Sequence, residues 1–107
     1  MSQNKLLNVA REVVKLEIDS LKKLKSSFGK SFEKIIKMIV NNKGGKIVIS
    51  GVGKSGIIGK KWAGTLTSTG TPSFFLDASN ASHGDMGQIS SNDIVILISL
   101  SGQSDEL

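Results

Sequence analysis

The sequence is 107 residues long, 38% hydrophobic and 21% charged, with a formal net charge of +5. It has no cysteine, which excludes disulfides, thiol nucleophiles and cysteine metal sites, and no apolar run approaches the roughly 20 residues that span a membrane. The start, MSQNKLLNVAREVV, scatters charges among its apolar residues, so no export signal and no membrane partner are expected, and the cytoplasm is the expected compartment.

From Gln3 to Phe28, apolar residues recur at Leu6, Val9, Ala10, Val13, Val14, Leu21, Leu24 and Phe28, the spacing of one apolar stripe along a long helix. Gly29 suits its end. Ser31 is a candidate cap for a second helix, whose buried face would hold Phe32, Ile35, Ile36 and Ile39. Residues 1 to 45 carry ten Lys/Arg against four Asp/Glu, whereas residues 46 to 107 carry four against five. The excess positive charge therefore belongs to the helices. Lysines 22, 23, 25, 30, 34 and 37 come with few aromatic residues and no nucleic-acid module, so a solvated helix face is expected and no nucleic-acid partner. The closing SDEL resembles a retrieval signal, which has no meaning without export.

NNKGG, Asn41 to Gly45, breaks the second helix. A strand over 46–50, a Gly-rich turn, a helix from about 55 to 69 ended by Gly70, and a strand over 73–76 after Pro72 make one βαβ unit. Asp77 to Ser91 reads as a polar connection with a short helix around Asn80 and Ala81, and a further strand covers 93–99. The connection lengths require crossovers, not hairpins. Ile47, Val48 and Ile49 in one strand and Ile94 through Ile98 in another are apolar on both faces and call for cover above and below. The helices written here cannot supply all of it. The expected architecture is α/β: N-terminal helices, then the first three strands of a flavodoxin-like parallel sheet, with the C-terminal half of the sheet domain absent or a partner chain in its place.

Two loops carry the chemistry. GVGKSG, Gly51 to Gly56, follows the first strand, and SLSGQSDE, Ser99 to Glu106, follows the third. Both should leave the same edge of the sheet and open toward a helix, where anions bind. In the flavodoxin strand order they flank the switch point and share one crevice, into which Lys54, Ser55, Ser101, Ser104, Glu106 and the sole histidine, His83, would come. Gly51, Gly53 and Gly56 also satisfy GxGxxG, with Asp77 placed 21 residues past Gly56 for a ribose, so a nicotinamide-dinucleotide fragment is an alternative. A Walker A loop is excluded because Val48 stands where its first glycine would be. Lys54 puts a cation in a turn where a dinucleotide wants bare backbone, which favours a monoester phosphate or an enolate. Ser99, Ser101 and Ser104 around Gly102 suit a neutral phosphate cradle. His83 and Asp85 make no convincing metal site, and no cofactor is called for.

Taken together, GVGKSG, STGTPSFFLDASNASHGDMGQIS and DIVILISLSGQSDEL resemble the sugar isomerase (SIS) domain of D-arabinose 5-phosphate isomerases, from about Gly45 to Leu107 without a gap. The paired helices before it also fit, which implies a helical segment over 1–44 and the N-terminal half of an SIS domain over 45–107. The resemblance implies interconversion of D-arabinose 5-phosphate and D-ribulose 5-phosphate, a sugar-phosphate ligand and a role in synthesis of an eight-carbon acid sugar of bacterial polysaccharide. It matches Lys54, His83 and Glu106 to catalytic positions, and Ser101, Gly102, Gln103 and Ser104 to the phosphate loop, beside which Ser55 and Ser99 also stand. The family commonly has Asn and Glu where Leu100 and Gln103 occur here. It also supplies further catalytic acid and histidine residues downstream, and usually regulatory CBS modules. Because such domains commonly build pockets between subunits, a homo-oligomer is expected. A non-catalytic phosphosugar-sensing SIS module is a further alternative, and these 107 residues alone are expected to be inactive.

Overall fold

The computed structural model describes residues 2–81 and 84–100. The chain divides into two compact units, residues 1–37 and 38–107. In the first, α1 (Gln3–Ser27) starts at Ser2, whose Oγ accepts a hydrogen bond from the Lys5 amide at 3.3 Å, the standard way to satisfy an orphan donor of the first turn. Helix α2 (Lys30–Asn41) follows. Gly29 provides the first carbonyl, accepting from Glu33 N, so Ser31 lies inside the first turn and does not cap the helix. The apolar stripes are present as predicted, but neither helix contains a buried residue. Ile35 and Ile36 remain exposed, and the buried face expected for the second helix is reduced to Ile39, which lies in the second unit, past its boundary at residue 38, and packs within that unit's core.

That second unit is built on β1 (Ile47–Gly51), α3 (Gly53–Ser68), β2 (Ser73–Phe75), a short helix α4 (Ala78–Ala81), a 3-10 turn over Asp85–Gln88, and β3 (Ile94–Ile98). The described strands form one parallel sheet in the order β2-β1-β3. This is the flavodoxin-like order expected from the sequence, with the first strand at the centre. Ile47, Val48 and Ile49 are 2%, 0% and 0% exposed, as a two-faced apolar central strand should be. Ile47 and Ile49 meet Ala63 of α3, with Leu66, Phe75, Ile94, Ile96 and Ile98 packed around them. On the other face of β3, Val95 and Leu97 stay 44% and 54% exposed. Among the described residues, that apolar face of β3 is thus only partly covered, as the composition of the strand anticipated, and an edge strand of this kind invites pairing.

The STGTP segment has a structural reason. Gly70 adopts φ 98°, Thr71 N donates to Leu66 O at 2.8 Å and Gly70 N to Thr67 O at 3.2 Å. These are the two bonds of a Schellman stop, which uses glycine for its left-handed residue. Pro72 then delivers the chain directly into the sheet: its carbonyl accepts from Ile47 N at 2.9 Å, and Ser73 Oγ donates to Ile47 O at 2.7 Å.

At the opposite side of β1, Asp93 ties the starts of β1 and β3 together. Its side chain is 0% exposed. Oδ2 accepts from Ser90 N at 2.7 Å and Oδ1 from Lys46 N at 2.8 Å, while Lys46 Nζ stands 3.4 Å from Oδ2. The Ser90 and Lys46 amides, the strongest of these influences, hold the carboxyl below the usual aspartate range against the opposing effect of desolvation. This pins the register in which Ile47 faces Ile94 and, at the far end, Gly51 faces Ile98.

Candidate functional site

The register brings the ends of β1 and β3 to the same level, so the loop after Gly51 and the loop after Ile98 leave the sheet side by side. This is the topological switch point, because β2 and β3 lie on opposite sides of β1. Immediately above β1, Val52 has extended backbone at φ −119° and ψ 145°, and Gly53 opens α3 with φ 60°. A non-glycine residue would be strained there. The turn is short because helix and strand touch: a Cβ on Gly56 would stand 2.8 Å from Gly51 O. Sequence periodicity alone starts this helix near residue 55, and the structure begins it at Gly53. Lys54 and Ser55 consequently belong to the first turn of the helix, not to a loop before it. Lys54 is exposed and Ser55 half-buried.

The start of α3 has no side-chain cap, since Val52 offers no acceptor. Its first amides are thus left for solvent or a ligand, and the positive end of the helix favours an anion. Lys54 adds a full positive charge at the same place. On the β2 side, a cleft of ≈ 220 Å³ is lined by Gly51, Val52, Gly53, Asp77, Ala78 and Ser79. Asp77, the candidate ribose acid of the dinucleotide alternative, accepts from Ser79 N at 2.9 Å and also from Ser79 Oγ. It thereby caps the short helix α4, a local use for which its place before Ala78 is sufficient.

Ser99 directly follows β3 and is half-buried, and Leu100 beyond it is fully exposed. His83, Ser101, Gly102, Gln103, Ser104 and Glu106 lie outside the described residues. The structure thus brings Lys54, Ser55 and Ser99 to one edge of the sheet. Among the described residues no group of three or more His, Cys, Asp or Glu side chains could hold a metal ion, and no helix is long and apolar enough to cross a membrane.

One residue near this edge escaped the sequence reading. Ser50 is 3% exposed, and its Oγ has no hydrogen-bond partner among the described residues. Its signal was present in the chain as the one hydroxyl in the otherwise aliphatic run IVIS, but a serine ending a strand is ordinary and only burial makes it notable.

Comparison with known proteins agrees with this geometry. The family model of the SIS domain matches residues 38–107. Arabinose 5-phosphate isomerase KdsD of Francisella tularensis is 48% identical over 109 residues, which cover 100% of this chain and 33% of that protein. Arabinose 5-phosphate isomerase GutQ of Escherichia coli K12 is 46% identical over 102 residues, 95% of this chain and 32% of that protein. Among solved structures, that of the c3406 protein of E. coli CFT073 in complex with arabinose 5-phosphate superposes with a TM-score of 0.89 at 40% identity, over 99% of this chain and 56% of that one. The chain spans about a third of the length of these curated relatives. Identity at this level over nearly every residue carries more than a shared fold and does not favour a dinucleotide-binding fragment. With its uncapped helix start above the central strand of a β2-β1-β3 parallel sheet and the SIS model matched from Met38 to Leu107, this chain belongs to the SIS domain family, and the curated relatives named above are arabinose 5-phosphate isomerases.

Proposed function

We propose that this chain is the sugar-phosphate-binding part of an aldose–ketose isomerase that interconverts D-arabinose 5-phosphate and D-ribulose 5-phosphate. The observation that carries this reading is the 48% identity to an arabinose 5-phosphate isomerase across the whole chain. The 0.89 TM-score to a structure holding arabinose 5-phosphate supports it, as does the position of Lys54 on the first turn of α3.

The chemistry is a proton transfer. A base removes the C2 proton of the open-chain aldose, the electron pair forms an enediolate, and a proton returned to C1 gives the ketose while the hydroxyl proton moves from O2 to O1. The atoms balance without an oxidant or reductant. Such a reaction needs a fixed ligand, a base and a group that stabilises the developing oxyanion. Lys54 is assigned to the oxyanion, because an exposed ammonium beside free helix amides presents positive charge where the enediolate forms. Glu106 is assigned as the base and His83 to ring opening or the hydroxyl proton. Ser55, Ser99, Ser101, Gly102, Gln103 and Ser104 are assigned to the phosphate. The helical segment over 1–44, the SIS half over 45–107, a cytoplasmic location, a homo-oligomeric assembly and a place in polysaccharide biosynthesis belong to the same reading.

The test is to incubate the chain with D-arabinose 5-phosphate in D2O and follow the C2 proton and ribulose 5-phosphate by NMR. Loss of the C2 proton together with product supports catalysis by this chain. Ligand line-broadening that depends on Lys54, without exchange, supports a binding half-site whose chemistry needs further residues. No broadening and no exchange would sink the sugar-phosphate reading.

A further inference from the structure

Ser50 occupies the penultimate position of β1. Strand alternation places it with Val48, on the sheet face opposite Ile47 and Ile49, which pack with α3. It is flanked on both sides by the sheet: Leu97 of β3 is its register partner, and on the β2 side Leu76 N donates to Ile49 O at 2.8 Å. Leu97, Leu76 and Val48 offer no side-chain acceptor for a hydroxyl proton. Gly51 has no side chain, so Ser50 carries the last side chain of β1 below the crevice between the ends of β1 and β3. A hydroxyl buried to 3% exposure with no protein partner among the described residues is an arrangement that folded proteins rarely keep without a use. Alanine would fit the same position without a buried hydroxyl.

We infer that the Ser50 hydroxyl is a hydrogen-bond donor of the filled site, whose acceptor is an oxygen atom delivered with the sugar phosphate, on the ligand or on a water bound with it. The inference rests on the sugar-phosphate reading given under the proposed function and adds to it a residue that neither the loop motifs nor the resemblance singled out. A sugar phosphate is rich in oxygen acceptors, and the end of the central strand at the switch point is where an α/β sheet presents its ligand.

The test compares Ser50→Ala and Ser50→Thr with the wild-type full chain in two measurements: thermal unfolding without ligand, and titration with D-arabinose 5-phosphate followed by amide chemical shifts. The expected result is a Ser50→Ala chain that unfolds at the same or a higher temperature, yet binds the sugar phosphate about tenfold more weakly, the size of one lost hydrogen bond. Ser50→Thr, which keeps the hydroxyl, should recover binding. Unchanged affinity in Ser50→Ala overturns the inference. A lowered unfolding temperature in Ser50→Ala also overturns it, because the hydroxyl would then serve the fold. If the wild-type chain does not bind D-arabinose 5-phosphate at all, the sugar-phosphate reading itself fails, a result distinct from normal wild-type binding that Ser50→Ala leaves untouched.

Discussion

The two ends of the β1–β3 strand pair are built on opposite principles. Where the strands begin, every polar group of the clamp has a partner: Asp93 takes the amides of Lys46 and Ser90 and the Lys46 ammonium, and Ile94 N donates to Lys46 O. Where they end, the helix start is uncapped, Gly53 takes a left-handed turn and the Ser50 hydroxyl is orphaned. The same two strands thus carry a satisfied end and an unsatisfied one. Polar satisfaction stabilises a fold, whereas unsatisfied donors at a strand end are what a ligand can complete. On the proposed function, the first end is scaffold and the second carries the site.

The sharpest way to test that division is to remove the charge at the site end. On the proposed function, in a chain extended to an active isomerase, Lys54→Ala should lower the rate of arabinose 5-phosphate isomerisation on the order of 100-fold or more, the typical loss for one well-placed electrostatic donor. Its thermal unfolding should be unaltered, because the side chain is exposed. An unchanged turnover, read by the same NMR assay in D2O, would remove Lys54 from the mechanism.

Asp93→Ala should do the reverse. It leaves the Lys46 and Ser90 amides without their acceptor at the scaffold end and should give the clearest loss of stability of any single substitution in this clamp, measured by urea or thermal unfolding. A variant as stable as the wild type would show that the clamp does not hold the register.

Gly56→Ala probes the junction between the two ends. Its Cβ would meet Gly51 O at 2.8 Å and Gly51 C at 3.2 Å, and both are backbone atoms that cannot swing aside. Overpacking of this kind costs about 1–3 kcal/mol, and moving α3 off β1 should also weaken sugar-phosphate binding. Loss of stability with binding intact would mean that the helix start tolerates displacement.

The smallest effect is in pH dependence. The folded-state pKa of Asp93 lies below its ordinary value of 3.8, so the folded chain binds this proton less tightly than the unfolded one. The stability it contributes is complete above the unfolded pKa and is lost as the pH falls below 3.8 through the folded value. Asp93→Asn should flatten the acid limb of the stability profile. An identical acid limb in the variant would assign acid unfolding to other carboxylates.

Much of this was legible in the residues. The apolar runs IVIS and IVILI, the Gly-rich turn between the first strand and its helix, and the stop at Gly70 follow from local backbone preference and from the need to bury both faces of a parallel strand. The common edge from which the loops after β1 and β3 leave was legible for the same reason, since a parallel crossover sends loops after successive strands to one side of the sheet. Helix boundaries were less so. Helix α2 already includes Lys30, ahead of the predicted cap at Ser31, because Gly29 supplies the entering carbonyl, and α3 starts early because Gly53 can adopt a positive φ. The expected burial of the second helix also needed a partner surface, which no local pattern contains.

Composition, helix periodicity, the α/β class and the identity of the loop residues were determined by the amino-acid sequence alone, because each depends on neighbours within a few positions along the chain. The strand order β2-β1-β3 was an expectation that tertiary pairing had to decide. Tertiary structure also decided the carboxylate clamp joining Lys46 to Asp93 across 47 positions, the contact of Gly56 with Gly51 and the isolation of the Ser50 hydroxyl. Burial and hydrogen-bond satisfaction are properties of what surrounds a group in space, and for Ser50 that meant a buried hydroxyl with no partner among the described residues.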